Sequence, residues 1–381
     1  MPESIQNNNV LQKPLVVFAL LDWGLGHTTR TIPIIKHLMT LNYNILVACN
    51  SNQKAILEKE LSDISYKMLD GYNLSYASSA WQTMLYIIFQ IPKILIQINQ
   101  EKRWLRGLLL ENKVDLIVSD NRFGFFSASI PSIFITHQLN IRSGLGEMAD
   151  QLLRFFNYRF INRFSFCWVP DYAEADNLAG TLSHPQRLPK VPVKWLGALS
   201  RLQACADKVS SDVDILIILS GPEPQRTLLE KKLLADAALI DRRFVVVRGL
   251  PKETDLPEQP RHIRMFNHLP AAELNRFLCA ASFVISRSGY TSIMDYMKLG
   301  VKAVLIPTPG QAEQIYLATH LHQSQLALSI QQTEFSLANA LERAASFPYK
   351  KRTWNMELYK SIINEWIENS PLSHKDTKTT K

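Results

Sequence analysis

Between the apolar run Phe283 to Ser286 and a helical pattern that begins at about Thr291 stands Arg287-Ser288-Gly289, with Asp295 one turn into the helix. A strand that ends in such a loop offers a cation and unpaired backbone N–H groups at a helix mouth, an arrangement that holds phosphate. Ser292 and Asp295 are three apart and share a helix face. A carboxylate there accepts hydrogen bonds from both hydroxyls of a ribose, while Ser288 and Ser292 serve the phosphates. An acid in a first helical turn also complements the helix dipole without any ligand.

Three further loops carry chemistry. In Pro307-Thr308-Pro309-Gly310-Gln311-Ala312-Glu313-Gln314, the polar side chains Gln311, Glu313 and Gln314 start a helix and suit the hydroxyls of a hexose. Ser220-Gly221-Pro222-Glu223-Pro224-Gln225-Arg226 follows an apolar strand, and its turn can cradle a diphosphate with Arg226 adding charge, although two prolines remove donors. In Asp22-Trp23-Gly24-Leu25-Gly26-His27-Thr28-Thr29-Arg30, Gly24 and Gly26 permit close backbone approach. The helix start favours a neutral His27 imidazole able to take a proton, unless the residue merely caps or packs. This loop is not the dinucleotide fingerprint: Thr29 stands where a third glycine is needed, and Val47 to Ser51 supplies no acid for a ribose.

These loops need a frame that gathers strand ends. Leu15 to Leu21, Ile45 to Cys49, Leu116 to Ser119 and Ile133 to Thr136 read as buried strands among helical patterns. The second half repeats the layout with Ile215 to Ser220, Phe244 to Val247, Phe283 to Ser286 and Ala303 to Ile306. The pattern predicts α/β architecture, with two parallel sheets and ligands beyond the carboxyl ends of their strands. The proline-bearing stretch from His184 to Ser211 separates the halves, giving an N-terminal domain 1–199, a C-terminal domain 200–370 and a disordered tail 371–381. A last helical pattern, Thr353 to Ile367, carries Trp354, Tyr359 and Trp366, aromatic surface suited to packing across both lobes.

At 381 residues the chain is comfortable as two domains. The 42 basic and 34 acidic side chains leave +8, compatible with nucleic acid, an anionic membrane or phosphorylated substrates. Cys49, Cys167, Cys205 and Cys279 lie far apart in sequence, so neither a disulfide framework nor a zinc site is expected, and a reducing cytoplasm is the default. The polar start, Gln6 to Asn9, does not read as a secretory signal. Trp81 to Ile98 approaches membrane-span length, but Gln82, Gln90, Pro92, Lys93 and Gln97 interrupt it.

Taken together, the loops between His262 and Ala327 resemble the C-terminal donor-binding domain of glycosyltransferase family 28, the family of the MurG-type N-acetylglucosaminyltransferases. In that family an Arg-Ser-Gly loop precedes a helix whose acid holds the ribose, which points to Arg287, Ser288, Gly289 and Asp295; the family usually has Glu at the last position. Its paired polar residues for the donor hexose match Glu313 and Gln314, the first being Gln in MurG, and its uracil-contacting strand end matches Phe266-Asn267. The family's glycine loop also ends in a His, as here at His27. Ser119-Asp120-Asn121-Arg122-Phe123-Gly124 and Ile135-Thr136-His137-Gln138-Leu139 are closer to uncharacterised bacterial relatives.

The resemblance implies a GT-B fold, two Rossmann-like parallel-sheet domains facing a central cleft. It also implies inverting transfer from a UDP-sugar, with N-acetylglucosamine the expected hexose, needing neither metal nor other cofactor. His27 or Asp120 would be the base, and Arg287, Arg226 and helix N-termini would steady the diphosphate. The acceptor would be a lipid-linked or cell-envelope glycan at the inner face of the plasma membrane, with no part for nucleic acid. Consistent with a membrane, Phe156, Phe160 and Phe164 recur every four residues among Arg154, Arg159 and Arg163, and Trp81 to Ile98 is followed by Lys102, Arg103 and Arg106. Such stripes also build cores. A UDP-sugar 2-epimerase and a non-catalytic nucleotide-sugar-binding module are the competing readings.

Overall fold

The computed structural model describes residues 13–71, 80–205 and 213–370. The expected disordered tail, Pro371 to Lys381, lies outside these residues. The N-terminal lobe runs β1 (Leu15–Leu20), α1 (Gly26–Thr40), β2 (Asn44–Cys49), α2 (Ser51–Leu57), β3 (Ser65–Met68), α3 (Ala80–Glu111), β4 (Leu116–Asp120), β5 (Ser132–Ile135), α4 (Glu147–Ile161), β6 (Phe166–Val169) and β7 (Val193–Trp195). All its strands are parallel, in the order β3-β2-β1-β4-β5-β6-β7.

The second lobe runs β8 (Ile215–Ile218), α5 (Gln225–Ala237), β9 (Phe244–Val247), β10 (Ile263–Phe266), α6 (Ala271–Ala280), β11 (Phe283–Ser286), α7 (Tyr290–Leu299), β12 (Ala303–Leu305), α8 (Ala312–Gln323), β13 (Leu328–Ser329), α9 (Leu337–Ser346) and α10 (Leu358–Glu368). Its parallel order is β10-β9-β8-β11-β12-β13. Both sheets reverse direction of growth at their first strand, so β1/β4 and β8/β11 form the two switch points where ligands are bound in such sheets. In register, Leu20 lies beside Asp120 at the end of the first pair.

The strands are near-continuous apolar runs because helices cover both faces of each sheet. The lobes touch directly. α1 packs on α7, and the buried cluster through Ile35, Trp168 and Leu199 continues into Tyr290, Met294 and Ile363. α10 crosses back to the first lobe: Trp366 meets Phe166 and Trp168 edge-on, each with ring centres 5.7 Å apart, and His37 pairs with Asn364 at 2.8 Å.

α1 begins at Gly26, so the end of the glycine loop itself enters the helix. One expected bound shifts. The last helix begins at Leu358 rather than Thr353, because the preceding stretch lays Trp354 on the Tyr172 ring at 4.7 Å. Cys205 and Cys279 form a disulfide, contrary to the reading of four unconnected cysteines; folding brings the linker against α6 over 74 residues of separation. Trp81 to Ile98 falls in α3, and among the described residues no helix is long and apolar enough to cross a membrane.

Candidate active site

His27 and Asp120 meet at the β1/β4 switch point. The imidazole Nδ1 donates to Asp120 Oδ1 at 2.9 Å, since a carboxylate only accepts. That leaves Nε2 as the basic nitrogen, without a partner among the described residues. Asp120 is fully buried and is also gripped by Arg30, through Nε to Oδ2 at 2.8 Å and through a second guanidinium nitrogen to Oδ1. Burial favours the neutral acid of Asp120, but Arg30 and His27 overcome it and hold its pKa down at about 2. Burial also lowers the His27 pKa, Arg30 lowers it further, and Asp120 restores only part. The imidazole therefore rests neutral at pH 7, as a general base must.

Arg30 sits three residues after His27 and faces the same buried corner. It extends the network, because its third nitrogen lies 3.1 Å from His137 Nδ1. A guanidinium can only donate, so Nδ1 of His137 is the accepting nitrogen and Nε2 carries the proton. That proton is directed at Glu313 Oε1, 2.8 Å away in the other lobe. Burial works against the charge of Glu313, but the His137 hydrogen bond leads the effects that outweigh it and keep the acid below its ordinary pKa. The His137 ring also stacks on Tyr290 with centres 4.2 Å apart, and the Tyr290 hydroxyl donates to the Pro170 carbonyl at 2.7 Å.

The glycine loop permits this closeness. A Cβ on Gly26 would stand 2.7 Å from Thr291 Oγ1, at the start of α7, so glycine lets the two helix mouths approach without displacing that side chain. Gly24 holds a positive φ of 71° in the turn before it.

In the second lobe, Arg287 lies at the mouth of α7, almost fully buried. It donates to the carbonyls of Gln225 at 2.9 Å, Ile306 at 3.2 Å and Pro307 at 3.3 Å, thus joining the loops after β8, β11 and β12. Among the described residues no carboxylate pairs with it, and burial draws its pKa down to about 10, which leaves it charged at neutral pH. Its Nε has no partner either. Gly289, the cap residue of α7, offers no side-chain cap, so the helix mouth keeps its N–H groups unanswered by side chains.

The neighbouring polar residues are already committed. Ser288 Oγ donates to the Gln314 carbonyl at 2.8 Å. Gln314 accepts from the Thr308 N–H and hydroxyl, both at 3.0 Å, and donates back to Gln311, so this pair shapes the loop before α8. Gly221, at φ 103°, faces the Thr308 hydroxyl, while Ser220 beside it is exposed. Asp295 accepts from the Ser200 hydroxyl in the linker, and burial pushes its pKa up to about 6 despite that bond. Ser292 is half-buried one turn earlier.

Two expectations are not met by this geometry. The Arg226 guanidinium does not stand free for a diphosphate, because Glu223 and Glu230 neutralise it inside an ion-pair network that includes Arg248. Asn267 does not present its amide to a base: it donates to the carbonyls of Glu253 and Asp255 and accepts from Arg248, pinning the loop after β9. Phe266 beside it packs on Phe277 with ring centres 5.8 Å apart.

The family model described as the glycosyltransferase family 28 C-terminal domain matches residues 252–362. Among solved structures, the spinosyn rhamnosyltransferase SpnG is 14% identical, with 92% of this chain and 99% of that chain covered and a TM-score of 0.63. The glycotransferase of kitacinnamycin is 17% identical over 93% and 94% of the two chains, with a TM-score of 0.62. UGT2 of Phytolacca americana, complexed with UDP-2fluoro-glucose and pterostilbene, is 13% identical over 93% and 94%, with a TM-score of 0.61. No curated protein sequence matches the chain. At such identities the likeness is one of architecture, and it defines the class: two all-parallel α/β lobes in the GT-B arrangement. Within the C-terminal lobe, only residues 252–362 resemble family 28 in sequence.

Proposed function

We propose that the protein transfers a hexose from a nucleoside diphosphate sugar to an acceptor hydroxyl with inversion at the anomeric carbon. The observation that carries this reading is the His27–Asp120 pair: a neutral imidazole held through Nδ1, its Nε2 open at a switch-point cleft. In the reaction the acceptor oxygen forms a bond to the anomeric carbon while the carbon–phosphate oxygen bond breaks. His27 Nε2 takes the acceptor proton, and Asp120 stabilises the resulting imidazolium. The bonding pair leaves with the diphosphate, whose new charge falls beside Arg287 and the mouth of α7.

The donor is UDP-linked in this reading, with N-acetylglucosamine as its sugar. The resemblance around Arg287 to Asp295 supports uridine, and a relative complexed with UDP-2fluoro-glucose agrees; SpnG, complexed with thymidine diphosphate, makes dTDP the comparison nucleotide. Asp295 accepts from the ribose hydroxyls, and the second oxygen of Glu313 accepts from a hexose hydroxyl. Arg287 supplies the positive charge that a divalent cation would otherwise bring, so turnover is expected to survive EDTA. A lipid-linked or envelope glycan is the acceptor.

Purified protein incubated with UDP-N-acetylglucosamine and a membrane lipid extract should yield glycosylated lipid and one UDP per sugar moved. Free epimerised sugar without transfer would replace the reading with an epimerase. UDP binding with no turnover on any acceptor would leave a binding module.

A further inference from the structure

We propose that the Cys205–Cys279 disulfide is a redox latch that pins the linker between the lobes against Asp295. From Leu199 to Cys205 the linker lies along the second lobe and is tied to it at intervals. The Leu199 N–H donates to Met294 Sδ at 3.2 Å, the Ser200 hydroxyl donates to Asp295, and Lys298 Nζ donates to the Ser200 carbonyl at 3.1 Å. Further on, the Gln203 N–H donates to Asn275 Oδ1 at 3.1 Å, and the disulfide to Cys279 of α6 ends the run. Within the same stretch Arg201 pairs with Glu60 of the first lobe, just beyond α2, so the segment that carries Ser200 also joins the lobes.

The disulfide is the covalent member of this set, and it is within reach of solvent. Cys205 is exposed and Cys279 half-buried, whereas Cys49 and Cys167 are buried. A soluble dithiol opens the pair by exchange. One of its thiolates attacks a sulfur of the disulfide, the S–S bond breaks, and the other cysteine leaves as a thiolate; the second thiol of the reductant then resolves the mixed disulfide. Two electrons and two protons pass to the protein, which ends with two thiols, and the reductant closes its own disulfide. The linker is then held by hydrogen bonds and ion pairs alone, and its Cys205 end opens locally.

What the latch controls rests on the transfer reading. In that reading Asp295 accepts from two neighbouring ribose hydroxyls, a task that suits both carboxylate oxygens. While the latch is closed, Ser200 occupies Oδ1. Release of the linker returns that oxygen to the nucleotide, so the reduced protein binds the donor more tightly. Oxidation lowers donor affinity without touching the His27–Asp120 pair.

Alkylation of the full chain in denaturant reads the state of the latch: two thiols should react in the air-oxidised protein and four after dithiothreitol. Hydrogen exchange reads release without any donor. The amides of Leu202 and Gln203 should exchange at least about tenfold faster in the reduced protein. Calorimetry with UDP-N-acetylglucosamine should give an affinity about three- to tenfold higher after reduction. Cys279→Ser should match the reduced parent in either buffer, with Cys205→Ser in its place where the first does not fold. Ser200→Ala should keep the disulfide yet bind the donor equally well oxidised and reduced. Four reactive thiols without reductant, equal exchange in the two states, equal donor affinity in the two states, or a redox effect on affinity that persists in Ser200→Ala overturns the proposal. Faster exchange on reduction, with no nucleotide bound in either state, supports the latch and overturns the donor reading instead.

Discussion

His137 donates from Nε2 to Glu313 Oε1 across 2.8 Å, and that bond joins the two lobes. Its direction is imposed from behind, because Arg30 occupies the other nitrogen as a donor. One oxygen of Glu313 is thereby spoken for in the first lobe, and on the proposed reading a hexose hydroxyl meets the other. On that reading donor recognition and the basic pair lie on one connected chain of side chains, Glu313, His137, Arg30, Asp120 and His27, of which His137, Arg30 and Asp120 are buried.

Glu313→Gln separates sugar recognition from nucleotide recognition. The amide oxygen still accepts from His137, but the charge-assisted bond to the hexose is lost. A bond of this kind contributes about 1.5 to 3 kcal/mol. Affinity for the UDP-sugar should fall roughly ten- to hundredfold, while affinity for UDP itself stays unchanged. Competition calorimetry with both ligands checks this, and equal losses for both would remove Glu313 from the sugar site.

His27→Ala should leave UDP binding intact and reduce turnover by about 10² to 10⁴, the range of a lost general base. In the parent, burial and Arg30 lower the imidazole pKa. As pH falls, kcat should therefore hold past the ordinary histidine range before protonation removes the base. A rate that already falls from pH 7.5 downward would contradict a depressed pKa.

Asp120→Asn removes more than a hydrogen bond. It leaves Arg30 buried without its counter-charge, a loss of about 3 to 5 kcal/mol, and allows the side-chain amide to donate to His27 Nδ1, which turns Nε2 into the protonated nitrogen. Both stability in urea and turnover should drop. The linkage has a sign: with the folded pKa at about 2 against an ordinary value near 4, the stabilisation is present above the higher value and lost as pH falls toward the lower. The acid limb of parental stability should flatten in the variant.

The buried runs of β1, β2, β4, β5, β8, β9, β11 and β12 are legible because parallel strands covered on both faces are apolar throughout. Edge strands are not: Ser65-Tyr66-Lys67-Met68 alternates and is mostly half-exposed, and Leu328–Ser329 is too short to leave a period. The loops after the legible strands singled out His27, Asp120, Arg287 and Glu313 as candidates. Their pairings could not be read, since the His27–Asp120 contact follows from β1 lying beside β4, and His137–Glu313 from the approach of two lobes. Arg30 left no mark beyond its three-residue spacing from His27. The ion pairs of Arg226 could not be read either, because Glu223 and Glu230 come beside it only once α5 forms.

Arg287→Met tests the leaving-group site. Three carbonyls lose a donor, each worth about 1 kcal/mol, so Tm of the free protein should fall by several degrees. The informative readout is the rise in Tm with UDP, which should vanish with the cation. A variant that is less stable yet still gains the parental increment from UDP would make Arg287 a purely structural tie between loops.

On the proposed reading Asp295 ties nucleotide binding to pH. Its carboxyl is raised to about 6 by burial, so between the ordinary carboxylate range and pH 6 the folded protein holds a proton that the unfolded chain has released. Its contribution to stability therefore declines as pH rises through that window. Ribose recognition needs the opposite state, because the ionised acid accepts two hydroxyl hydrogen bonds and the protonated acid accepts fewer. Affinity for a UDP-sugar should accordingly increase from pH 5 to pH 7. The sugar ester is the proper ligand, since its diphosphate has no terminal oxygen left to titrate there. Asp295→Asn should flatten the dependence, and Asp295→Ala should weaken binding by roughly 1 to 3 kcal/mol. A pH dependence preserved in Asp295→Asn would move the ribose elsewhere, leaving the Ser200 bond as a hinge contact between linker and α7.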